Sequence, residues 1–276
     1  MRASLTPFEE LIRHNVLNPT LMASRTLGGT HPPWDSVHDR GWRMSEVSTF
    51  EVVVINLDRR PDRLSTIETQ LSALGLPFTR MSAVDARDLP PETDVRLTSR
   101  PQTACWMSHQ LCFERLTHSH FEHLFILEDD AVLDPSRDWP RLLASSQHVM
   151  TANDVGVLQL GYSSQFDPLQ RLPKPVAHWL TERHHAKVPM PEPFLDLHIV
   201  QDSFRPGGHA YLIDRRAAGA IAGFNIPVAR NADDFFTDLS YSGVVHRKWH
   251  VSRLSMSLAG QASRLSKDSV IDSDLG

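Results

Sequence analysis

The chain has 276 residues, of which 41% are hydrophobic and 22% are charged, and its formal net charge is −5. This length supports one large α/β domain or two small ones with a substantial core. The acidic balance argues against nucleic acid as the main partner. The sequence contains no apolar run of about 18 residues that could span a membrane, and its N-terminus lacks the apolar core of a signal peptide. We therefore expect a cytoplasmic protein whose membrane contact, if any, is peripheral.

The two cysteines, Cys105 and Cys112, lie in a segment with helical spacing. About 10 Å along the helix axis separates two residues placed seven positions apart. This distance is too long for a disulfide bond. We expect two buried free thiols, as in a protein from a reducing compartment.

Residues 1–49 differ in pattern from the rest of the chain. Apolar residues recur at helical spacing near the N-terminus, and a loop rich in Gly and Pro follows them. We predict a helical and irregular extension over 1–49 and a main domain over 50–276.

A strand, a helix and a second strand are predicted at the start of the main domain. The run 51–57 is β-branched and continuous, as in a strand that is buried on both faces. Pro61 suits a first helical position and Gly75 a helix end, and the second strand with its loop covers 77–85. This order predicts a parallel sheet.

Further elements continue the alternation of strands and helices. The predicted elements are a helix over 103–116, a strand over 124–127, a helix over 139–149 and a strand over 154–161. Residues 162–204 are rich in Pro and lack periodicity, which is typical of a functional loop. The remaining predictions are a strand over 207–213, a helix over 215–224, short strands near 244–246 and 249–251, and an irregular tail over 258–276.

Three carboxylates, Glu128, Asp129 and Asp130, directly follow the strand over 124–127. At the carboxyl end of a strand in an open α/β sheet, they would face the ligand crevice. Hard divalent ions such as Mg²⁺ or Mn²⁺ take oxygen ligands and can hold phosphates at the same time. The three acids by themselves are compatible with a metal–diphosphate site or with a solvated strand end.

A set of short motifs follows in one order over residues 51–271. The motifs are V-I-N-L-D-R-R-P-D-R at 54–63, A-V-D at 83–85, A-C-W-M-S-H at 104–109, I-L-E-D-D-A at 126–131, G-H-A-Y-L-I at 208–213, D-D-F at 233–235, and Gln261 followed by S-V-I at 269–271. In this order they resemble glycosyltransferase family 25, which contains lipooligosaccharide and collagen galactosyltransferases.

The resemblance implies an α/β fold of the GT-A type, in which a Rossmann-like, mostly parallel sheet is flanked by helices. It implies a UDP-sugar donor and a bound Mn²⁺ or Mg²⁺ ion. The implied reaction is an inverting hexosyl transfer, with galactose from UDP-galactose as the expected sugar. The expected acceptor is a hydroxyl group of a lipooligosaccharide, another glycan or a protein, and residues 162–204 are expected to shape that choice. Candidate sugar-facing side chains in that segment, for which core packing is the alternative, are Trp179, His184, His185 and Phe194.

The acids after the strand would then be the family's form of the DxD metal motif. Residues two apart in an extended chain share a face, so we predict that Asp130 binds the metal. Glu128 is predicted to contact the ribose or a metal-bound water, and it is also a candidate metal ligand. Asp129 lies between them among the cofactor-binding residues but points away, and we expect it to tolerate substitution. His246 is the candidate third metal ligand.

An inverting transfer needs a base within hydrogen-bond reach of the acceptor hydroxyl. Asp233 is the first candidate and Asp234 the second. The alternative is that the segment 231–233 simply caps the helix that follows.

The sugar nucleotide is predicted to lie near the ends of the first strands. Candidate contacts are Asn56, Arg63, Ala83 and Asp85 from the strand ends and Ser108 and His109 from the helix. Arg63 could pair with a phosphate or form a structural salt bridge, and His109 could equally be a satisfied core residue.

Three other classes of protein are alternatives to a glycosyltransferase. A phospho-receiver domain carries its acids after the first strand, whereas a complete βαβ unit precedes them here. A catalytically silent sugar-nucleotide-binding module of the same fold is the main alternative. A nucleotidyltransferase would release pyrophosphate, whereas a glycosyltransferase releases a nucleoside diphosphate.

Overall fold

The computed structural model describes residues 34–37, 50–91, 93, 98–162, 185–222, 228, 230–236 and 250–262. Several predicted features lie outside these residues: His246, Trp179, His184, the strand near 244–246 and the motif at 269–271. Within the described part of the chain, none of the helices has the length and apolar character that crossing a bilayer demands.

Strands and helices alternate along the described chain. The strands are β1 (Trp34–Val37), β2 (Phe50–Asn56), β3 (Phe78–Ser82), β4 (His123–Glu128), β5 (Ala131–Leu133), β6 (Val155–Gly161), β7 (Lys187–Pro189), β8 (His198–Val200), β9 (Ala210–Asp214), β10 (His250–Leu254) and β11 (Ala259–Gln261). The helices are α1 (Pro61–Ala73), α2 (Arg100–His118), α3 (Trp139–Ala152) and α4 (Arg215–Ile221). Residues 232–236 are also helical.

The strands form one sheet in the order β1-β3-β2-β4-β9-β6-β10-β8-β7, and β11 pairs with β5 and β6. Strands β3, β2, β4, β6 and β10 run in the same direction, while β9 lies antiparallel between β4 and β6. The predicted α/β fold with a mostly parallel sheet is therefore confirmed. Residues 34–37, which belong to the predicted extension, add the antiparallel edge strand β1 beside β3.

Helices cover both faces of the sheet because successive strand residues point to opposite faces. On β4, Phe125 and Leu127 pack in the cluster that contains α1 and α3 residues. Leu124 and Ile126 pack in the opposite cluster, which contains α2 and α4 residues. All four side chains are fully buried, so β4 is central to both halves of the core.

Helix α2 begins three residues earlier than its sequence pattern predicted. A reciprocal capping box explains the start: Gln102 N donates to Ser99 Oγ at 3.3 Å, and Ser99 N donates to Gln102 Oε1 at 2.8 Å. A proline in the first turn is compatible with this cap because its missing N–H has no helical partner to lose. The helix contains both cysteines, and both are free as predicted, but Cys105 is exposed rather than buried.

The predicted irregular tail contains strand β11, which closes the sheet near the acidic turn. Ala259 pairs with Leu133 of β5 and with Gly161 of β6. Gly161 permits this contact, since a Cβ there would lie 2.7 Å from both Ala259 Cβ and His209 Nε2.

Gly161→Ala is expected to lower the free energy of unfolding by about 1–3 kcal/mol because the added methyl group overpacks this junction. Urea denaturation monitored by circular dichroism measures the change. Gly219→Ala in α4 is the control, since its Cβ would meet only Thr117 Cγ2 at 3.6 Å and alanine favours a helix by up to about 1 kcal/mol. Equal stability of the two variants would contradict the tight approach at Gly161.

Candidate active site

The acidic turn Glu128–Asp130 leaves the carboxyl end of β4 and is fixed by backbone hydrogen bonds on both sides. Glu128 N donates to the carbonyl of His209, just before β9, at 3.0 Å. Ala262 N, just after β11, donates to the carbonyl of Asp130 at 2.8 Å. The turn is therefore positioned by its neighbours in the sheet as well as by its own strand.

Asp129 is held by side chains from β2 and α1. Asn56 Nδ2 donates to Asp129 Oδ2 at 2.7 Å, and Arg63 contacts Asp129 Oδ1 at 3.4 Å. Asn56 also donates to the carbonyl of Arg60 and accepts from Arg80 Nε, each at 3.0 Å. Asn56 thus links β2, β3, the start of α1 and the acidic turn.

This network indicates that Asp129 has a structural role, which bears on the expectation that it tolerates substitution. Its side chain is only 9% exposed, and burial raises its pKa above the usual value, while hydrogen bonds from Asn56 and the charge of Arg63 oppose that rise. Removing the carboxylate would leave buried donors without an acceptor. Asp129 thereby links the acidic turn to β2 and α1.

Glu128 faces a group of polar side chains from three other elements. Its Oε1 lies 3.5 Å from His109 Nε2 of α2, and its Oε2 lies 3.4 Å from Gln261 Nε2 of β11. Cys105, one helical turn before His109, offers its sulfur to the same region: the ligand atoms of Cys105, His109 and Glu128 all lie within 4.8 Å of one another.

The second acidic cluster separates into residues with different functions. Asn231 Oδ1 accepts from Asp234 N at 2.8 Å, so Asn231 supplies the cap that a helix start requires. Asp233 does not cap. It accepts from Gly208 N at 2.5 Å, whereas Asp234 is exposed.

The charge of Asp233 is coupled to that of the acidic turn. Burial and the charge of Glu128 raise the pKa of Asp233, and backbone N–H groups of Gly208 and Gly207 oppose the rise. Cys105 is an exposed residue. The pKa of its thiol is nevertheless raised well above the usual value, first by the protein that surrounds the sulfur and then by the charges of Glu128, Asp233 and Asp130. Three carboxylates therefore act on one small region.

Such a concentration of carboxylates fits a divalent cation, which would relieve their mutual repulsion and prefers oxygen ligands. Glu128 and Asp130 supply carboxylate oxygens from one turn, and Asp233 lies close enough to sense the charge of Glu128. The chemistry of these donors suits Mg²⁺ or Mn²⁺. The predicted third ligand, His246, lies outside the described residues.

The other predicted nucleotide contacts gather where β2 and β3 end. Ala83 N donates to the carbonyl of Asn56, and Val84 N donates to Ser108 Oγ, each at 2.9 Å. Ser108 is buried and its hydroxyl donates to the carbonyl of Ala104, so its side chain anchors this loop to α2.

Asp85 extends this loop into a cluster of arginines. Arg87 and Arg59 contact its carboxylate at 2.6 and 2.9 Å and hold its pKa well below the usual range. The loop therefore presents guanidinium groups beside the carboxyl ends of β2 and β3. Such groups are suited to binding phosphate or nucleotide oxygens.

His109 is fully buried, and its Nδ1 lies 2.7 Å from the hydroxyl of Tyr211 on β9. The sequence pattern pointed to His109 but not to its surroundings of Cys105, Tyr211 and Gln261. Cys105 stands four positions before His109, which is the spacing of neighbours on one helix face, and this spacing was the available signal. Tyr211 and Gln261 stand in two of the motifs that carry the family resemblance, but they come from distant elements, and nothing in the sequence placed them in this region.

One candidate for sugar contact in the segment 162–204 is part of the hydrophobic core instead. Phe194 is 3% exposed and packs in the cluster beside α3. His185 Nδ1 lies 3.0 Å from the carbonyl of Gln201.

The chain is similar to known proteins of one family. The model of glycosyltransferase family 25, described as LPS biosynthesis protein, matches residues 50–235. Two relatives, from Aedes aegypti and Drosophila pseudoobscura pseudoobscura, are each named glycosyltransferase 25 family member. The chain is 29% and 28% identical to them over 33% of its length, but the match spans only 18% and 17% of theirs.

A solved structure, titled as a glycosyltransferase involved in the glycosylation of the major capsid of PBCV-1, shares 10% sequence identity with the chain. The alignment covers 71% of this chain and 68% of that one, with a TM-score of 0.32.

Asn56→Ala is expected to lower the free energy of unfolding by about 2–3 kcal/mol, because it removes a buried amide that donates to Asp129 and Arg60 and accepts from Arg80. Chemical denaturation provides the measurement. Asn153→Ala is the matched control, since it removes one hydrogen bond to the carbonyl of Val149 and should cost about 1 kcal/mol. Equal losses would contradict the central position of Asn56.

Proposed function

Because the chain belongs to glycosyltransferase family 25, we propose that it is a metal-dependent, inverting hexosyltransferase with a GT-A type fold. The proposed donor is UDP-galactose, and the proposed acceptor is a hydroxyl group of a lipooligosaccharide, another glycan or a protein. The observation that carries the proposal is a pair of hydrogen bonds beside the carboxyl end of β4: Glu128 N donates to the carbonyl of His209, and the N–H of the preceding Gly208 donates to Asp233.

The donor's nucleotide is proposed to lie beside the ends of β2 and β3. Guanidinium groups of Arg59 and Arg63 are partly exposed there and could donate to ribose or phosphate oxygens. Ala83, Asp85 and Ser108 would act by shaping the loop against which the nucleotide rests. In this proposal Asn56 and Asp129 position the acidic turn and do not themselves contact the donor.

Glu128 and Asp130 are proposed to hold the metal ion. A Mn²⁺ or Mg²⁺ ion bound there would act as a Lewis acid toward the negative charge that develops on the departing diphosphate. The protein's own contribution is to keep the two carboxylates on one turn, fixed by the backbone bonds to His209 and Ala262.

Asp233 is proposed to be the base. Its carboxylate would take the proton of the acceptor hydroxyl as the acceptor oxygen forms a bond to the anomeric carbon. The bond between that carbon and the diphosphate oxygen breaks with inversion, and the leaving group departs as UDP. Asp233 suits this function better than Asp234 because Asn231 already caps the helix and Gly208 N fixes one oxygen of Asp233.

The proposal is tested by a donor screen that measures UDP release with Mn²⁺ present. Release of UDP from UDP-galactose, faster with an acceptor glycan, is the expected result. Release of pyrophosphate from a nucleoside triphosphate would indicate a nucleotidyltransferase instead. Binding of UDP-sugars without turnover across the donors and acceptors tried would favour the catalytically silent module.

Asp130→Asn is expected to lower kcat/KM for UDP-galactose by about 100- to 1000-fold, because a charged ligand to the metal becomes neutral. The dependence of the rate on Mn²⁺ concentration should shift to higher concentration in the same variant. Steady-state assays over a range of Mn²⁺ concentrations measure both effects. An unchanged Mn²⁺ dependence would contradict the assignment of Asp130.

Asp233→Asn is expected to lower kcat by about 100- to 10,000-fold, since the amide cannot accept the acceptor's proton. Binding of UDP and Mn²⁺, measured by calorimetry, should change little. Asp234→Asn is the matched control and should keep a rate close to that of the parent. If Asp234→Asn had the larger effect on kcat, the two residues would have to exchange their assigned functions.

A further inference from the structure

Cys105, His109 and Glu128 form a compact group beside the proposed donor site. Cys105 and His109 occupy positions four apart on α2, so their side chains lie on the same helix face. Glu128 reaches them from the end of β4, and the three ligand atoms all lie within 4.8 Å of one another. Sulfur, imidazole nitrogen and carboxylate oxygen together are a ligand set typical of zinc.

His109 adds an independent observation. Its side chain is 1% exposed, and among the described residues its Nε2 has no hydrogen-bond partner. Nε2 lies 3.5 Å from Glu128 Oε1, which is longer than the roughly 2.9 Å of an ordinary N–H···O bond. Two ligands on one tetrahedral zinc ion, at about 2.0–2.1 Å each, stand roughly 3.4 Å apart.

The opposite side of the imidazole is already oriented. Nδ1 lies 2.7 Å from the Tyr211 hydroxyl, which can accept the Nδ1 proton and leave the lone pair of Nε2 directed at Glu128. Ligating histidines usually donate their second ring N–H in this way. In that tautomer two acceptors, Nε2 and the Glu128 carboxylate, face each other and repel. A cation between them would be coordinated by both.

We propose that Cys105, His109 and Glu128 form a second metal site, which takes a thiophilic divalent ion such as Zn²⁺. The thiolate distinguishes it from the carboxylate site at Asp130, because sulfur ligands select zinc over magnesium and manganese. Three protein ligands leave one position of a tetrahedral ion for water. Solvent access at Cys105 gives the ion a path of entry.

Glu128 belongs to both metal sites, and this sharing has a functional consequence that rests on the proposed function. A zinc ion that holds Glu128 against α2 withdraws it from the donor site. Zinc is then an inhibitor of transfer even when Mn²⁺ is abundant. Asp130, which is not among the three zinc ligands, remains available to Mn²⁺.

The site itself is tested without any sugar nucleotide, by titrating the full chain with Co²⁺ as a spectroscopic substitute for zinc. A thiolate-to-cobalt charge-transfer band in the near ultraviolet is the expected result. Only Cys105 and Cys112 can produce it, since the chain has two cysteines. Cys105→Ser should abolish the band and weaken Zn²⁺ binding in calorimetry by more than about 100-fold, because loss of a direct ligand exceeds the effect of an outer partner.

Cys112→Ala is the matched control, because Cys112 lies on the same helix as Cys105 but is buried against Met81 of β3, and this variant should keep both the band and the affinity. Tyr211→Phe should weaken Zn²⁺ binding by about 10-fold or more through loss of the imidazole's orienting partner. A band that persists in Cys105→Ser, or equal Zn²⁺ affinity in the parent and that variant, would overturn the proposed site.

Inhibition is measured separately, with UDP release at fixed Mn²⁺ and rising Zn²⁺. The parent chain should lose activity at zinc concentrations that leave Cys105→Ser active. If no donor is turned over, the proposed function fails while the cobalt band still decides the metal site. If turnover is normal but zinc inhibits both proteins equally, the competition through Glu128 is wrong.

Discussion

The pairing of Asp129 with Asn56 and Arg63 is the interaction on which the site depends. Three adjacent carboxylates repel one another, and their repulsion would disorder the end of β4 if nothing compensated it. The middle carboxylate, Asp129, is buried against the amide of Asn56 and the guanidinium of Arg63, which stabilise its charge. The carboxylate of Glu128 lies instead beside His109 and Gln261.

The antiparallel strand β9 makes the second contribution. It enters the sheet between β4 and β6, and the residues just before it contact both acidic clusters. The His209 carbonyl accepts from Glu128 N, while Gly208 N donates to Asp233. Two adjacent residues thus fix the acidic turn and Asp233 relative to each other, and Gly208 leaves space for the Asp233 carboxylate, which would lie 2.9 Å from a Cβ.

Sequence patterns predicted the parts of this arrangement that are local. The β-branched runs, Pro61 and Gly75 indicated the βαβ unit, and the apolar strand before Glu128 indicated an acidic turn at a sheet edge. Three features depart from what these patterns predicted. Ser99 and Gln102 start α2 earlier than its apolar spacing suggested, because a capping box depends on polar residues that periodicity ignores. Cys105 faces solvent although cysteine is usually buried. Gln261 reaches Glu128 through β11, whose three residues are too short to give a pattern.

The contact between Gln261 and Glu128 joins residues 133 positions apart. This separation affects the order in which the site forms during synthesis on the ribosome. At roughly 5–20 residues per second, on the order of 10 s pass between the synthesis of Glu128 and that of Gln261. Strand β11 cannot close the sheet during that interval, and the acidic turn lacks the backbone bond from Ala262. The nascent chain therefore carries its acidic turn well before the turn has all of its backbone hydrogen bonds, and the arrangement is completed only after β11 emerges from the exit tunnel.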